Sequence, residues 1–417
     1  MIDARSTRRG LFLVFMIMFL DVIGIAIIMP VLPTYLRELT GDDISQAAID
    51  GGWLLLVYAG MQFLFAPLIG NLSDRFGRRP VLLACILTFA IDNLICAMAA
   101  SYWMLFVGRV LAGISGASFS TAAAYIADVS NDETRSKNFG LMGIAFGTGF
   151  VIGPVIGGLL GEFGPRIPFY GAAALAFLNF VGAWILLPES LAAHNRRPFE
   201  LVRANPLGAL LQMRNYPGVL WVGVVFLCYG LAHAVYPAVW SFVGAYRYGW
   251  SEGQIGLSLG IFGIGGAVVM GFVLPRIVPR LGEYRTAVLG LVFSVVGLSG
   301  YAAAWQGWMI YAVIALTALE ALADPPLRSI ASARVPASAQ GELQGALTSV
   351  SSITTIIGPL IFTQVFSHFT APSAPVAFAG APFAVAALIL LVGLVIFLVK
   401  LKGAGVGPSG NFAPESA

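Results

Sequence analysis

Long apolar runs recur along the chain, separated by short clusters of polar and charged residues. A helix needs ~20 apolar residues to cross a hydrocarbon core. By that measure the pattern predicts spans over 11–36, 51–72, 80–99, 102–127, 138–161 and 167–188, then over 217–243, 253–278, 284–304, 307–328, 343–368 and 376–400. The longest polar break, 189–216, holds Arg196, Arg197, Arg203 and Arg214 and divides the twelve spans six and six. This predicts an all-α membrane protein: a six-helix bundle over 1–188, a cytoplasmic linker over 189–216, a second bundle over 217–402 and a flexible tail over 403–417.

An offset of 205 residues overlays the two halves without gaps. It pairs Arg75 with Arg280, Gly77 with Gly282, Trp103-Met104 with Trp308-Met309, Gly140 with Gly345 and Gly153-Pro154 with Gly358-Pro359. The chain therefore reads as a parallel duplication of a six-helix unit. Two pseudo-symmetric bundles with a binding site near the midplane are transporter architecture.

Composition closes off the alternatives. Hydrophobic residues make up 58% of the 417 and charged residues 10%, with a mean hydropathy of +0.87. A soluble chain is about one-quarter charged, so a soluble enzyme and a disordered chain are both excluded. A net charge of +3 is too small to point to nucleic acid. Cys85, Cys96 and Cys228 lie in apolar runs without disulfide or metal-ligand spacing and read as small buried hydrophobes. No metal or cofactor site is read. Arg5, Arg8 and Arg9 precede the first run as in a signal peptide, but that run holds Asp21 and lacks a small-residue cleavage site, so it reads as a retained span.

Lysine and arginine placement sets the expected orientation. With the N-terminus inside, 19 of the 23 lie in cytoplasmic segments; Arg37, Arg166 and Arg247 lie outside, and Arg109 lies within a span. Both termini are thus expected in the cytoplasm. A nucleotide-binding P-loop needs Gly-Lys, and the three lysines follow Ser136, Val399 and Leu401. A gradient is left as the energy source.

Ionisable residues inside spans are expensive and therefore functional candidates. Asp21 lies about ten residues, roughly 15 Å, into the first run. Asp92 and Arg109 stand eight residues before and eight after the Ala100-Ser101 turn, so a helical hairpin brings them to one depth. Their pair reads either as a static structural bridge or as one that opens when the carboxylate takes a proton. An arginine beside a carboxylate favours its ionised form, so moving the arginine away makes protonation possible. In the second half, Glu320 is a candidate cation or proton site, and Asp324, before Pro325-Pro326, reads as interfacial. His233 reads first as a helix-contact histidine. Tyr236 and Gln364 are further polar candidates for the cavity.

Three segments carry a family resemblance. Gly70-Asn71-Leu72-Ser73-Asp74-Arg75-Phe76-Gly77-Arg78-Arg79-Pro80 resembles, residue by residue, the loop between spans two and three of the major facilitator superfamily. Gly149-x-x-x-Gly153-Pro154-x-x-Gly157-Gly158 resembles the antiporter motif of its drug-efflux branch. The resemblance implies a gate formed by Asp74, Arg75 and Arg78, with Arg78 pairing to Asp128 and Asp74 meeting the start of span eleven near Gly341. It also implies export. Arg109-Val-Leu-Ala-Gly113-Ile-Ser-Gly116 resembles the span-four motif of proton-coupled members.

The first half as a whole resembles the bacterial tetracycline-resistance exporters, through Asp21-Val-Ile-Gly24, Ile28-Met29-Pro30-Val31-Leu32-Pro33 and Tyr125-Ile126-Ala127-Asp128. Those exporters carry a histidine in span eight and an aspartate in span nine. Here span eight reads Gly260-Ile-Phe-Gly-Ile-Gly-Gly266, and no carboxylate lies between Glu283 and Glu320. The expectation is a proton-coupled exporter of amphipathic drug-like compounds in a bacterial inner membrane. It would work as a monomer, with small molecules, protons and the bilayer as its partners and tetracycline a poor substrate. Uptake symport of a small metabolite is the alternative within transport. An intramembrane enzyme is disfavoured because His194, His233 and His368 form no HExxH-like pair, and a sensor because the tail after Lys402 is short.

Overall fold

The computed structural model describes residues 4–131, 133–199, 217–336 and 339–401; Arg203, Arg214 and the expected 403–417 tail lie outside them. The described residues are helical with connecting turns and contain no strand. Large apolar side chains such as Phe177, Leu178, Trp184, Ile185, Leu388 and Val399 stand exposed on these helices. Exposed apolar surface on that scale belongs against another apolar medium.

Among the described residues, eleven helices are long and apolar enough to span a membrane, and one of them, Glu252–Ala303, has 52 residues. That corresponds to ~78 Å of helix, against a hydrocarbon core of ~30 Å. Its backbone breaks at Gly282, at φ 75° and ψ 167°, so it is two spans and the total is twelve.

The chain forms two compact units. One comprises the described residues of 1–206 and 244–260, the other those of 207–243 and 261–417. The hairpin joining spans seven and eight thus groups with the first unit, where Gly256 lies against the carbonyl of Pro154 and Gly260 against Val155.

Several spans differ from their expected course. The run 11–36 is not one helix: Ala4–Ala26 stops, residues 27–31 turn, and Leu32–Thr40 starts anew. Pro30 has no N–H to continue the ladder, and Pro33 sits in the first turn of the second helix, where a missing N–H costs nothing. Span two is longer than 51–72, running Ile44–Phe76, because Asp43 caps it by accepting the Ser45 and Gln46 N–H groups.

Spans four, seven and ten are also interrupted. Tyr102–Gly116 gives way to Ser118–Asp128 at Ala117, and Pro217–His233 to Val235–Tyr248 at Ala234. Gly307–Thr317 passes through a 3₁₀ turn, Ala318–Leu322, before Asp324–Ser332. In the 205 register the break in span one falls on that in span seven, and the break in span four on that in span ten. Apolar content hides such breaks from a hydropathy reading, yet interrupted helices are where transporters place their sites.

A candidate coupling site and gate

In the first unit, three buried ionisable side chains come from neighbouring spans. Arg109 Nη2 lies 3.6 Å from Asp92 Oδ1 and 3.4 Å from Cys96 Sγ, and its guanidinium stands 5.9 Å from the centre of the Phe169 ring. Asp92 is fully buried and also accepts from Ser115 Oγ at 3.3 Å and Asn93 Nδ2 at 3.0 Å. Gly108 permits this approach, because a Cβ there would overlap the Cys96 sulfur. Asp21 does not join the pair. Its Oδ2 accepts from Ser118 Oγ at 3.3 Å, on the far side of the Ala117 break, and its Oδ1 is buried without a hydrogen-bond partner among the described residues. Arg109 Nε is likewise unpartnered. Each of the two thus keeps a buried polar atom without a hydrogen bond among the described residues.

The loop between spans two and three turns at Gly77, whose φ of 103° and ψ of 159° suit glycine almost alone. Arg78 then folds back: Nη1 reaches Asp74 at 2.5 Å and Ser73 Oγ at 2.7 Å, while Nε reaches Asp128 at 3.1 Å. Arg75 points elsewhere, its guanidinium 5.1 Å from the centre of the exposed Phe76 ring. The hub of this end was not among the residues singled out from the sequence. Glu189, in Pro188-Glu189-Ser190, accepts the Arg78 N–H at 2.9 Å, the Arg79 N–H at 3.3 Å, and the Ser190 and Leu191 N–H groups at 3.0 Å. A carboxylate at the start of Arg78–Ala97 supplies both the capping acceptor and the charge that the helix dipole favours. Ser190 Oγ adds a 3.0 Å bond to Asp128. At the 205-shifted position, Glu283 replaces Arg78 and takes a hydrogen bond from Ser329.

Span five, Arg135–Gly161, carries the glycine motif. Gly149, Gly153 and Gly157 follow one another at four-residue intervals along one face, against span one. A Cβ would stand 2.7 Å from Val22 Cγ1 at Gly149 and 2.7 Å from Ala26 Cβ at Gly153, and at Gly157 it would overlap the carbonyl of Ile27. The stripe thus runs onto the turn that ends the first helix. Pro154 sits within the same helix, and Gly158 turns toward the Glu252 carbonyl. Beyond the stripe, Glu162 accepts the Gly253 N–H at 2.9 Å and Thr34 donates to Glu252 at 2.5 Å.

In the second unit, Tyr236 Oη donates to Glu320 Oε2 at 3.0 Å, and His233 Nε2 lies 3.4 Å from the same oxygen. Glu320 sits in the 3₁₀ turn of span ten, and His233 and Tyr236 flank the break in span seven. Asp324 turns away to Arg328, at 2.8 Å. Gln364 is exposed on Gln340–Thr370 and is not among the partners of Glu320. Among the described residues no three His, Cys, Asp or Glu side chains are grouped to hold a metal.

The chain is similar to known proteins over most of its length. The tetracycline resistance protein, class C, of Escherichia coli is 42% identical over 348 residues, covering 84% of this chain and 87% of the relative. Multidrug resistance protein 2 of Bacillus subtilis (strain 168) is 27% identical over 393 residues, covering 91% and 92%. Among solved structures, the nucleoside transporter NupG (D323A mutant) superposes with a TM-score of 0.77 at 13% identity, covering 94% of this chain and all of that one; this last likeness concerns the fold alone. The Major Facilitator Superfamily family model matches residues 14–359 and 225–414. The chain is a member of the major facilitator superfamily.

Proposed function

We propose that this chain exports amphipathic, drug-like compounds across a bacterial inner membrane in exchange for protons, acting as a monomer with both termini in the cytoplasm. The buried Asp92–Arg109 pair carries the coupling part of this reading. The relatives, named for tetracycline and multidrug resistance, support the direction and the substrate class.

A proton arriving at Asp92 leaves Arg109 buried without its counter-charge, and breaking such a pair costs about 3–5 kcal/mol. The guanidinium relieves that cost by moving, and the glycine packing between spans one and five gives the bundle a surface along which helices shift as rigid bodies. The Asp74–Arg78–Asp128 cluster re-forms the gate at the cytoplasmic end as the proton is released inward. Asp21, already half-satisfied beside the Ala117 break, is the second carboxylate of the relay.

The test uses everted vesicles energised with a proton gradient, followed by drug accumulation. Wild type accumulates drug, while Asp92→Asn and Asp21→Asn each lose at least tenfold of gradient-driven uptake at normal membrane levels. If both variants accumulate drug normally, these acids are structural and the proposal fails. Lipophilic compounds are expected to be moved better than tetracycline, because spans eight and nine present Gly, Leu, Val and Phe where the resistance exporters carry ionisable groups.

A further inference from the structure

The buried arginine of span four is not hydrogen-bonded to the carboxylate it faces. Arg109 Nη2 stands 3.6 Å from Asp92 Oδ1, beyond hydrogen-bond reach, and its hydrogen bond among the described residues goes to Cys96 Sγ at 3.4 Å. A guanidinium free to choose would close on a carboxylate at ~2.7–2.9 Å. Neutral groups hold both partners back. Asn93 Nδ2 donates to Asp92 Oδ1 at 3.0 Å and Ser115 Oγ to Oδ2 at 3.3 Å, while the thiol takes the arginine. A thiol is a weak acceptor, so it holds the guanidinium aside and still lets it go.

The sulfur is fitted to this place. Cys96 is fully buried one helical turn beyond Asp92 on span three, and its Sγ lies 4.0 Å from the Leu105 carbonyl. A carbonyl only accepts, so the thiol hydrogen points to it and a sulfur lone pair is left for Arg109. Gly108 makes the room: a Cβ there would overlap the sulfur and stand 3.3 Å from the Asp92 carbonyl oxygen. The other titratable groups that face the pair are Asp21 from span one and Tyr58 from span two; Tyr35, from the short helix after span one, faces Cys96. Span six contributes the Phe169 ring, 5.9 Å from the guanidinium. No second cation is among them, so the place of the arginine decides how open Asp92 is. In the 205 register, Asp92, Cys96, Gly108 and Arg109 correspond to Gly297, Tyr301, Val313 and Ile314. The second unit thus lacks the thiol and the glycine along with the pair.

We infer that Cys96 is a positioning residue of the coupling pair: its sulfur, as a hydrogen-bond acceptor, holds the Arg109 guanidinium off Asp92 and leaves the carboxylate open to a proton. This deepens the export reading and rests on it for the role of Asp92. Cys96 itself touches neither the proton nor the drug; it acts through the arginine.

Everted vesicles filled at a series of lumenal pH values, under a proton gradient of constant size, test it through the lumenal pH that gives half-maximal drug uptake. In Cys96→Ala the guanidinium closes on Asp92 and favours its ionised form, so the profile should move to lower pH by about half a unit or more. Cys96→Val keeps the bulk without an acceptor and should move it the same way. Cys96→Ser restores an acceptor and should keep the wild-type profile. Immunoblots confirm equal membrane levels, and Cys96→Val carries the test if Cys96→Ala does not reach the membrane. An unmoved profile in either of these two, a move to higher pH, or an equal move in Cys96→Ser overturns the inference. Asp92→Asn separates the two readings. Uptake lost there with the Cys96 profiles unmoved refutes the positioning role alone, and full uptake there refutes the coupling reading and this inference with it.

Discussion

Gly77 and Gly282, 205 residues apart, occupy the same unusual backbone region, with φ/ψ of 103°/159° and 75°/167°. Each turns the chain between two consecutive spans at the same register of its unit. Backbone in that region costs a side-chain-bearing residue of order 1–3 kcal/mol. Their surroundings differ: an added Cβ at Gly282 meets nothing within 4 Å, whereas at Gly77 it would overlap the Glu189 carboxylate. Gly282→Ala is expected to lose only the backbone strain. Gly77→Ala should lose that and the cap as well, melting measurably lower than Gly282→Ala in detergent.

Glu189 is expected to matter more than a linker residue should. Glu189→Ala removes the acceptor for the first two N–H groups of span three, a loss of about 1–2 kcal/mol by analogy with other caps. Thermal unfolding in detergent reads the stability, and a transport assay should show slowed turnover with little change in substrate binding. Unchanged stability would mean that water replaces the carboxylate freely.

The glycines of span five separate by environment. Gly157→Ala drives a methyl into the Ile27 carbonyl, while Gly147→Ala meets open space. The first should abolish transport or assembly. The second should stay within about twofold of wild type and gain some helix stability, since alanine is favoured over glycine in a helix by roughly 0.5–1 kcal/mol.

At the other end of span five, hydrogen bonds from Ser251 and from the Gly253 N–H hold the Glu162 carboxyl below its ordinary value of 4.5. A lowered pKa in the bonded state means that the contact is fully present above that ordinary value. It is lost as pH falls through the lowered one. Hydrogen exchange at the Gly253 amide, corrected for intrinsic rate, should stay protected at every pH above that ordinary value and open only as the pH falls below it. Glu162→Gln should show weaker protection throughout and no acid step.

Much of this was legible in the chain, for reasons specific to each element. The Asp92–Arg109 contact follows from equal spacing about Ala100-Ser101, because a hairpin of helices converts equal chain distance into equal depth. Arg78 and Asp128 were legible through family resemblance. The breaks at Ala117, Ala234 and Ala318–Leu322 were not, since apolar residues fill them as densely as the helices around them. Pro30 and Pro33 did mark the end of span one, but an uninterrupted apolar run outweighed them. Glu189 was hidden because a lone carboxylate in a polar linker looks like any solvated charge; its four N–H partners are visible only once Pro188 turns the chain back toward span three. His233 and Glu320 stand 87 residues apart, with no periodicity linking them.

Cys96 gives the molecule an internal reporter. Its thiol is fully buried, 3.4 Å from Arg109 Nη2, and its carbonyl accepts the Tyr35 hydroxyl from the short helix after span one. A state that opens room for a small maleimide beside the ion pair exposes this sulfur to it. With Cys85 and Cys228 replaced by alanine, alkylation rate becomes a clock for how often the surroundings of the Asp92–Arg109 pair open. No foreign label then has to be placed in this buried part of the bundle.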